Sequence, residues 1–194
     1  MSTLILVGGL PGTGKSTLAE IIWQGLHADH DAPKIVAADD FFYVADDEAH
    51  CGYEVMSDVS LLRGIDYARY RVGRSVAPGP WSYRFEKSLQ PHAHVWCQEQ
   101  VRNELARSQD AAIVVHNVFS RRWEMEPYLR LAAGFHARVT VTRLFDGGCT
   151  DEELARRNTH GVPLETIRTF RAEWEHDWKN GDPLAPWERA KVLS

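Results

Sequence analysis

Gly9-Leu10-Pro11-Gly12-Thr13-Gly14-Lys15-Ser16-Thr17 is the stretch on which the fold turns. Its first eight residues fit the spacing G-x-x-x-x-G-K-[ST]. The stretch follows a short apolar run at 4–7 and opens a helical pattern at 16–27, with Leu18, Ile21, Ile22 and Leu26 expected on one face. A strand, a glycine-rich turn and a helix in that order are the context that gives the spacing meaning. The glycines let the backbone curl until its N–H groups face one phosphate, and the helix start adds partial positive charge. Lys15 can reach the β- and γ-phosphates of a nucleoside triphosphate, and the Ser16 hydroxyl can ligate Mg²⁺. Gly9, Pro11, Gly12, Thr13, Gly14, Lys15, Ser16 and Thr17 are therefore candidate nucleotide-binding residues, with ATP and Mg²⁺ as cofactors.

Outward from this loop, three more apolar, β-branched runs read as buried parallel strands, at 34–37, 112–115 and 138–142. Helical patterns alternate with them. Residues 89–108 carry Ala93, Cys97, Val101 and Leu105 at spacing four, with Ser88 as the expected N-cap, and 121–133 follow the third strand. Thr150-Asp151-Glu152-Glu153 reads as a capping box. Pro163 falls in the first turn of a last helix expected to run to about Trp178. Strands alternating with helices give an α/β sandwich with a short parallel sheet of four or five strands and helices on both faces. Its ligands bind at the carboxyl ends of the strands. The whole of 1–194 reads as one domain.

The stretch 39–88 is long for a connection. Its first part, 39–58, holds seven acidic residues and no Lys or Arg. Residues 61–90 hold six basic residues against two acidic ones, interleaved with Tyr67, Tyr70, Trp81, Tyr83 and Phe85. A helix is expected at 61–71, and Pro78-Gly79-Pro80 forces a turn. Insertions of this length beside a ligand-binding edge are functional or disordered.

Composition sets the outer bounds. With 194 residues, 44% of them hydrophobic, the chain can bury a core without metal or disulfide. A net charge of −5 argues against coating nucleic acid by bulk charge. Cys51, Cys97 and Cys149 form no paired motif, which suits a reducing compartment. The N-terminal apolar run is too short to span a bilayer and has no basic region before it, so the expectation is a cytoplasmic protein with no membrane partner.

The residues just beyond each strand narrow the chemistry. No NKxD tetrapeptide offers a guanine reader. The strand at 112–115 ends in His116-Asn117, where a motor ATPase would carry acids. Asp39-Asp40, after the second strand, supplies a carboxylate that could accept a proton from a hydroxyl attacking the γ-phosphate. The bland reading is that either residue caps the next turn. His92 and His94, two apart on a helix, make a poor metal pair. Ile167, Phe170, Trp174 and Trp178 form a stripe whose first reading is core and whose second is a homo-oligomer interface.

Several segments together resemble the P-loop kinases of the phage polynucleotide 5′-kinase group, an AAA-type ATP-binding kinase family. They are GLPGTGKST at 9–17, ADDFF at 38–42, YRFE at 83–86, HAHVWCQ at 92–98, VVHN at 114–117, Trp123-Glu124 and RRNTHGVP at 156–163, in the family's order over about 160 residues. The resemblance implies an ATP-dependent kinase whose general base falls on Asp39, with Lys15 and Arg157 on the transferring group. It implies a lid at 150–163 that brings Arg156 and Arg157 to the ATP phosphates; a planar, always-charged Arg suits that task. Many relatives carry Asp where this chain has His116. Relatives also carry an acceptor-binding Arg shortly after the Asp pair, where this chain has Phe41, Phe42 and Tyr43. Asp40, Arg74, Trp81 and Arg84 are then the candidate substrate-binding residues, the Arg residues for a phosphate and Trp81 for a base.

The expected acceptor is a hydroxyl on nucleic acid, DNA ahead of RNA, or on a nucleotide, in a bacterial or phage-infected cell. A hydroxymethylated pyrimidine in DNA, phosphorylated after being flipped from the stack, is the second reading. A small-molecule kinase and a non-catalytic ATP-dependent switch are the further ones.

Overall fold

A computed structural model describes residues 1–26, 33–45 and 81–175. Four strands form the central sheet among them: β1 (Thr3–Gly8), β2 (Lys34–Val36), β5 (Ala112–Asn117) and β6 (Arg138–Arg143). All pair in parallel, in the order β2-β5-β1-β6. Leu4 faces Ile113 on one side of β1 and Val139 on the other. The strand runs are almost unbroken in apolar residues because β1 and β5 are covered on both faces. The order places β5 between β1 and β2, so the strand leading to Asp39 is one removed from the strand leading to the phosphate loop.

Helix α1 (Lys15–Leu26) covers one face. Leu18, Ala19, Ile22, Trp23 and Leu26 pack on Ile5, Val7, Ile35 and Val114. Ile21, expected on that face, is 60% exposed instead. The buried stripe is centred on Ala19, 100° per residue carrying Ile21 to the far side. Helices α2 (Gln90–Arg107) and α3 (Glu126–Gly134) cover the other face. Trp96 lies between the Ala93 and Cys97 positions and is fully buried with them against Leu6, Ile113, Val115 and Tyr128. Ser88 does not cap α2. A short 3₁₀ turn, Lys87–Leu89, precedes the helix, and the Ser88 hydroxyl donates to the Glu86 carboxylate two residues back.

A third cluster stands at the carboxyl end of the sheet. Helices α4 (Asp151–Arg157) and α5 (Leu164–Glu173) close over Leu10 with Leu154, Ile167 and Trp174 buried and Phe170 packed beside them. Thr150 and Glu153 form the capping box of α4: each backbone N–H donates to the other's side chain, at 2.8 and 3.2 Å. Pro163 is the N-cap of α5 and not inside its first turn. The helix stops at Glu173, with Trp174 extended, so it is shorter than the stripe suggested. Ile167, Phe170 and Trp174 pack within the chain, and Trp178 lies outside the described residues.

Only the flanks of the 39–88 stretch are described. They are a 3₁₀ turn (Ala38–Phe42) and strands β3 (Tyr43–Ala45) and β4 (Trp81–Tyr83), an antiparallel pair with Tyr43 opposite Tyr83. The helix expected at 61–71, the turn at 78–80 and Arg74 lie outside the described residues. Among the described residues no helix is long and apolar enough to cross a membrane.

Candidate active site

The loop after β1 curls as its glycines allow. Gly12 and Gly14 sit at φ +84° and +90°, a region that side chains disfavour. Thr13 locks the curl from behind, its N–H and hydroxyl both donating to the Leu10 carbonyl at 3.2 and 2.9 Å. Gly9 and Leu10 are pinned to the neighbouring strand ends through Val118 and Phe145 carbonyls. A cavity of about 740 Å³ opens above, within the usual size range of a small-molecule site. Pro11, Gly12, Gly14, Lys15, Ser16 and Thr17 line it. Gly9 and Thr13 hold the loop's curl and do not line the cavity.

Lys15 folds back so that Nζ donates to the Leu10 carbonyl at 2.9 Å. Burial lowers its pKa from 10.5 to about 8, the Asp39 carboxylate opposing that fall. Asp39 lines the same cavity. The two residues of the acidic pair have separated roles. Asp40 closes the 3₁₀ turn by accepting the Ala37 N–H at 2.7 Å, which is the capping role, and is absent from the cavity wall. Asp39, one residue earlier, turns outward to the cavity.

Asn117 makes that placement. Its Oδ1, at the end of β5, accepts the Ala38 N–H at 2.9 Å, and its Nδ2 reaches the Tyr128 hydroxyl at 3.4 Å. His116 and Phe119 add further wall from the same strand end. Tyr83 donates its hydroxyl to Asp39 Oδ1 at 3.3 Å; burial and that carboxylate push its pKa upward. His94 also lines the cavity, its pKa lowered by burial.

Helix α4 stands on a fixed base. Arg171 of α5 donates to Asp151, Asp146 and the Cys149 carbonyl. Helix α4 then passes so close to the loop that a Cβ on Gly12 would lie 2.3 Å from the Leu154 carbonyl oxygen. Arg157, in the last turn, lines the cavity and donates to Cys149 Sγ. Arg156 is exposed and lies outside the cavity wall. The lid's next residues carry a feature that sequence reasoning misses. Asn158 donates to the Ala155 and Val162 carbonyls and accepts the Val162 N–H at 2.8 Å, closing a loop that carries His160. His160 Nε2 stands 4.0 Å from Asp39 Oδ2. The NTHG run after the Arg pair is the available signal, but nothing in its spacing tells which wall it faces.

Of the remaining substrate candidates, Arg84 is exposed and outside the cavity wall. Trp81 stands in β4. Phe42, Tyr83 and Phe85 line the cavity, with Phe85 52% exposed and its ring 5.0 Å from that of Phe42. Among the described residues no cluster of three His, Cys, Asp or Glu could hold a metal by protein ligands alone. A Ser16 hydroxyl on the cavity wall beside the phosphate loop suits Mg²⁺, which commonly takes one or two protein ligands and completes its shell with phosphates and water.

Residues 4–176 match the family model AAA_33, described as an AAA domain. The chain is 28% identical over 169 residues to NEDD4-binding protein 2 of Homo sapiens, an alignment covering 84% of this chain and 7% of that protein. The structure of the Pnkp1/Rnl/Hen1 RNA repair complex has a similar fold, with TM-score 0.52 and 15% identity over 89% of this chain and 43% of that one. The crystal structure of APE1195 covers 87% of this chain and 75% of its own at TM-score 0.45 and 15% identity. The family match spans most of the chain, from β1 through the lid: the protein belongs to the AAA_33 family of AAA domains.

Proposed function

We propose that the chain is an ATP-dependent kinase that transfers the γ-phosphate to a hydroxyl on nucleic acid. One observation carries the reading: Asp39 and Lys15 face a single cavity, with the phosphate loop on one wall and Phe42, Tyr83 and Phe85 on another. A triphosphate enters along the loop amides, and Lys15 exchanges the Leu10 carbonyl for phosphate oxygens. Ser16 would hold Mg²⁺, which when bound neutralises charge on the phosphates. Arg157 meets the transferring group from the lid side. Asp39 accepts the proton of the acceptor hydroxyl as that hydroxyl's oxygen bonds to the γ-phosphorus and the bond from phosphorus to the β,γ-bridging oxygen breaks, releasing ADP. The aromatic wall suits stacking of bases. His116 lines the same cavity at the end of β5, where many members of the resembled group carry a carboxylate.

Phosphorylation of a hydroxymethylated pyrimidine within DNA is the second reading. Phe85, half exposed at the cavity wall, favours it as a surface on which an extruded base could stack.

Incubation with γ-labelled ATP and three acceptors separates the readings: 5′-hydroxyl DNA and RNA oligonucleotides, DNA containing hydroxymethyluracil, and a small-molecule panel. Label on the oligonucleotide ends is the expected result. Label confined to hydroxymethyluracil DNA favours the second reading, and label confined to small molecules overturns both. Asp39→Asn should lower transfer by about 10²–10⁴-fold while leaving ATP affinity nearly unchanged. Transfer that survives Asp39→Asn removes the base assignment.

A further inference from the structure

Asp39 is approached from two sides by residues of different parts of the fold. Tyr83, from β4, donates to Oδ1 at 3.3 Å. His160, from the loop after α4, brings Nε2 to 4.0 Å from Oδ2. The two rings lie against each other with centroids 4.4 Å apart and a 42° tilt, and Tyr43 packs on the Tyr83 ring at 5.2 Å. His160 is presented by a closed loop, because Asn158 bonds across it to Val162 in both directions.

We propose that Tyr83 and His160 clamp the Asp39 carboxylate between them, so that docking of the lid sets the orientation of the proton-accepting oxygen. Both are positioning residues, and the proposal rests on the reading of Asp39 as the base. The physical need is plain. Asp39 has about half of its side chain open to solvent, and its carboxylate is otherwise free to rotate away from an attacking hydroxyl. A general base must lie within hydrogen-bond reach of the proton it takes. The Tyr83 hydroxyl stays protonated and is a constant donor to Oδ1. That fixes Oδ2 on the lid side. There the imidazole of His160 is too far for a direct hydrogen bond but near enough to attract the carboxylate when the ring is protonated. Among the described residues Lys15 and His94 also feel the Asp39 charge, and Tyr43 is a further titratable group beside His160. The clamp therefore joins the acceptor-side strand, the base and the lid in one contact.

Two measurements on the full chain test it. The first needs no substrate: the imidazole of His160 is titrated by NMR in the wild type and in Asp39→Asn. Loss of the carboxylate should lower the imidazole pKa by about half a unit, the size of a partly exposed pair. Superimposable curves overturn the clamp. The second is single-turnover transfer from ATP to a 5′-hydroxyl oligonucleotide. Tyr83→Phe and His160→Ala should each slow transfer roughly ten- to a hundredfold, with thermal melts showing a folded chain and ATP affinity within about threefold. His160→Gln, whose amide nitrogen reaches a similar point, should recover part of the rate. Placed on Asp39→Asn, neither substitution should slow the residual rate further. Further independent losses on that background overturn the clamp and leave the base assignment standing. Full transfer by Asp39→Asn alone overturns the base assignment, and the positioning role with it.

Discussion

The Asn117 side-chain oxygen accepts the Ala38 N–H at 2.9 Å across 79 residues of sequence, tying the tip of β5 to the turn that carries Asp39. The bond is buried, and Asn117 itself is 7% exposed. Asn117→Ala leaves the Ala38 amide without its partner, at a cost of about 1–3 kcal/mol. The expected outcome is a melting temperature lowered by several degrees and acceptor transfer slowed at least tenfold, with ATP affinity retained. Calorimetry and single-turnover kinetics read the two effects. An unchanged melt and rate would mean that the turn holds Asp39 in place without Asn117.

Gly12 and Gly14 share a positive φ but differ in surroundings, which separates two effects. A methyl on Gly12 strikes the Leu154 carbonyl, while one on Gly14 meets nothing within 4 Å. Gly12→Ala should therefore push α4 off the loop, costing about 1–3 kcal/mol for strain with a further loss from the displaced packing of Leu154. Gly14→Ala should show the strain alone while blocking the space offered to phosphate. Both should bind ATP at least tenfold more weakly, and only Gly12→Ala should expose the lid to limited proteolysis. Equal proteolysis of the two variants would contradict the contact.

Lys15 sets the pH response of ATP binding. Its folded pKa is near 8, and bound phosphates would draw it upward, so binding takes up a proton above pH 8. The dissociation constant for ATP should rise toward tenfold per unit as pH climbs past 8. Lys15→Arg, charged throughout, should bind ATP with no such slope. Titration calorimetry at pH 7 to 9.5 checks this, and a flat wild-type curve refutes it. The sign for stability is opposite. The folded pKa lies below the unfolded 10.5, so the unfolded chain holds more protons between those values, and this residue's contribution to stability rises with pH across that window.

The two described cysteines should react very differently. Cys97 is fully buried and its thiol is pushed up to about 12, whereas Cys149 is half-buried beside Arg157. Iodoacetamide at pH 8 should label Cys149 at least a hundredfold faster than Cys97, since only the thiolate attacks. Peptide mass spectrometry gives both rates. Comparable labelling would show that α2 opens from the sheet.

The sheet is readable in the sequence because β1 and β5 are buried on both faces and must be apolar almost throughout, and because the loop spacing fixes a turn between a strand and a helix. The start of α4 is readable from Thr150 and Glu153, whose mutual capping is local chemistry. The unreadable part depends on contacts distant in sequence. The order that sets β5 beside β1 follows from long crossovers and leaves no trace in any one strand. Ser88 looks like a cap because the residue type is right, yet Glu86 takes its hydroxyl. Asp39 and Asp40 are neighbours of one type, and only the 3₁₀ turn decides which caps and which faces the cavity. Ile21 fits a helical stripe as well as Ala19 does until the sheet shows which side it touches.

Because β5 stands between β1 and β2, the triphosphate cradle and the carboxylate hang from different seams of the sheet. If the proposed transfer holds, drift in the residues around β3 and β4 would retune its acceptor while the loop amides stay as they are. A chimera that exchanged only the residues around β3 and β4 between relatives should keep its nucleotide preference.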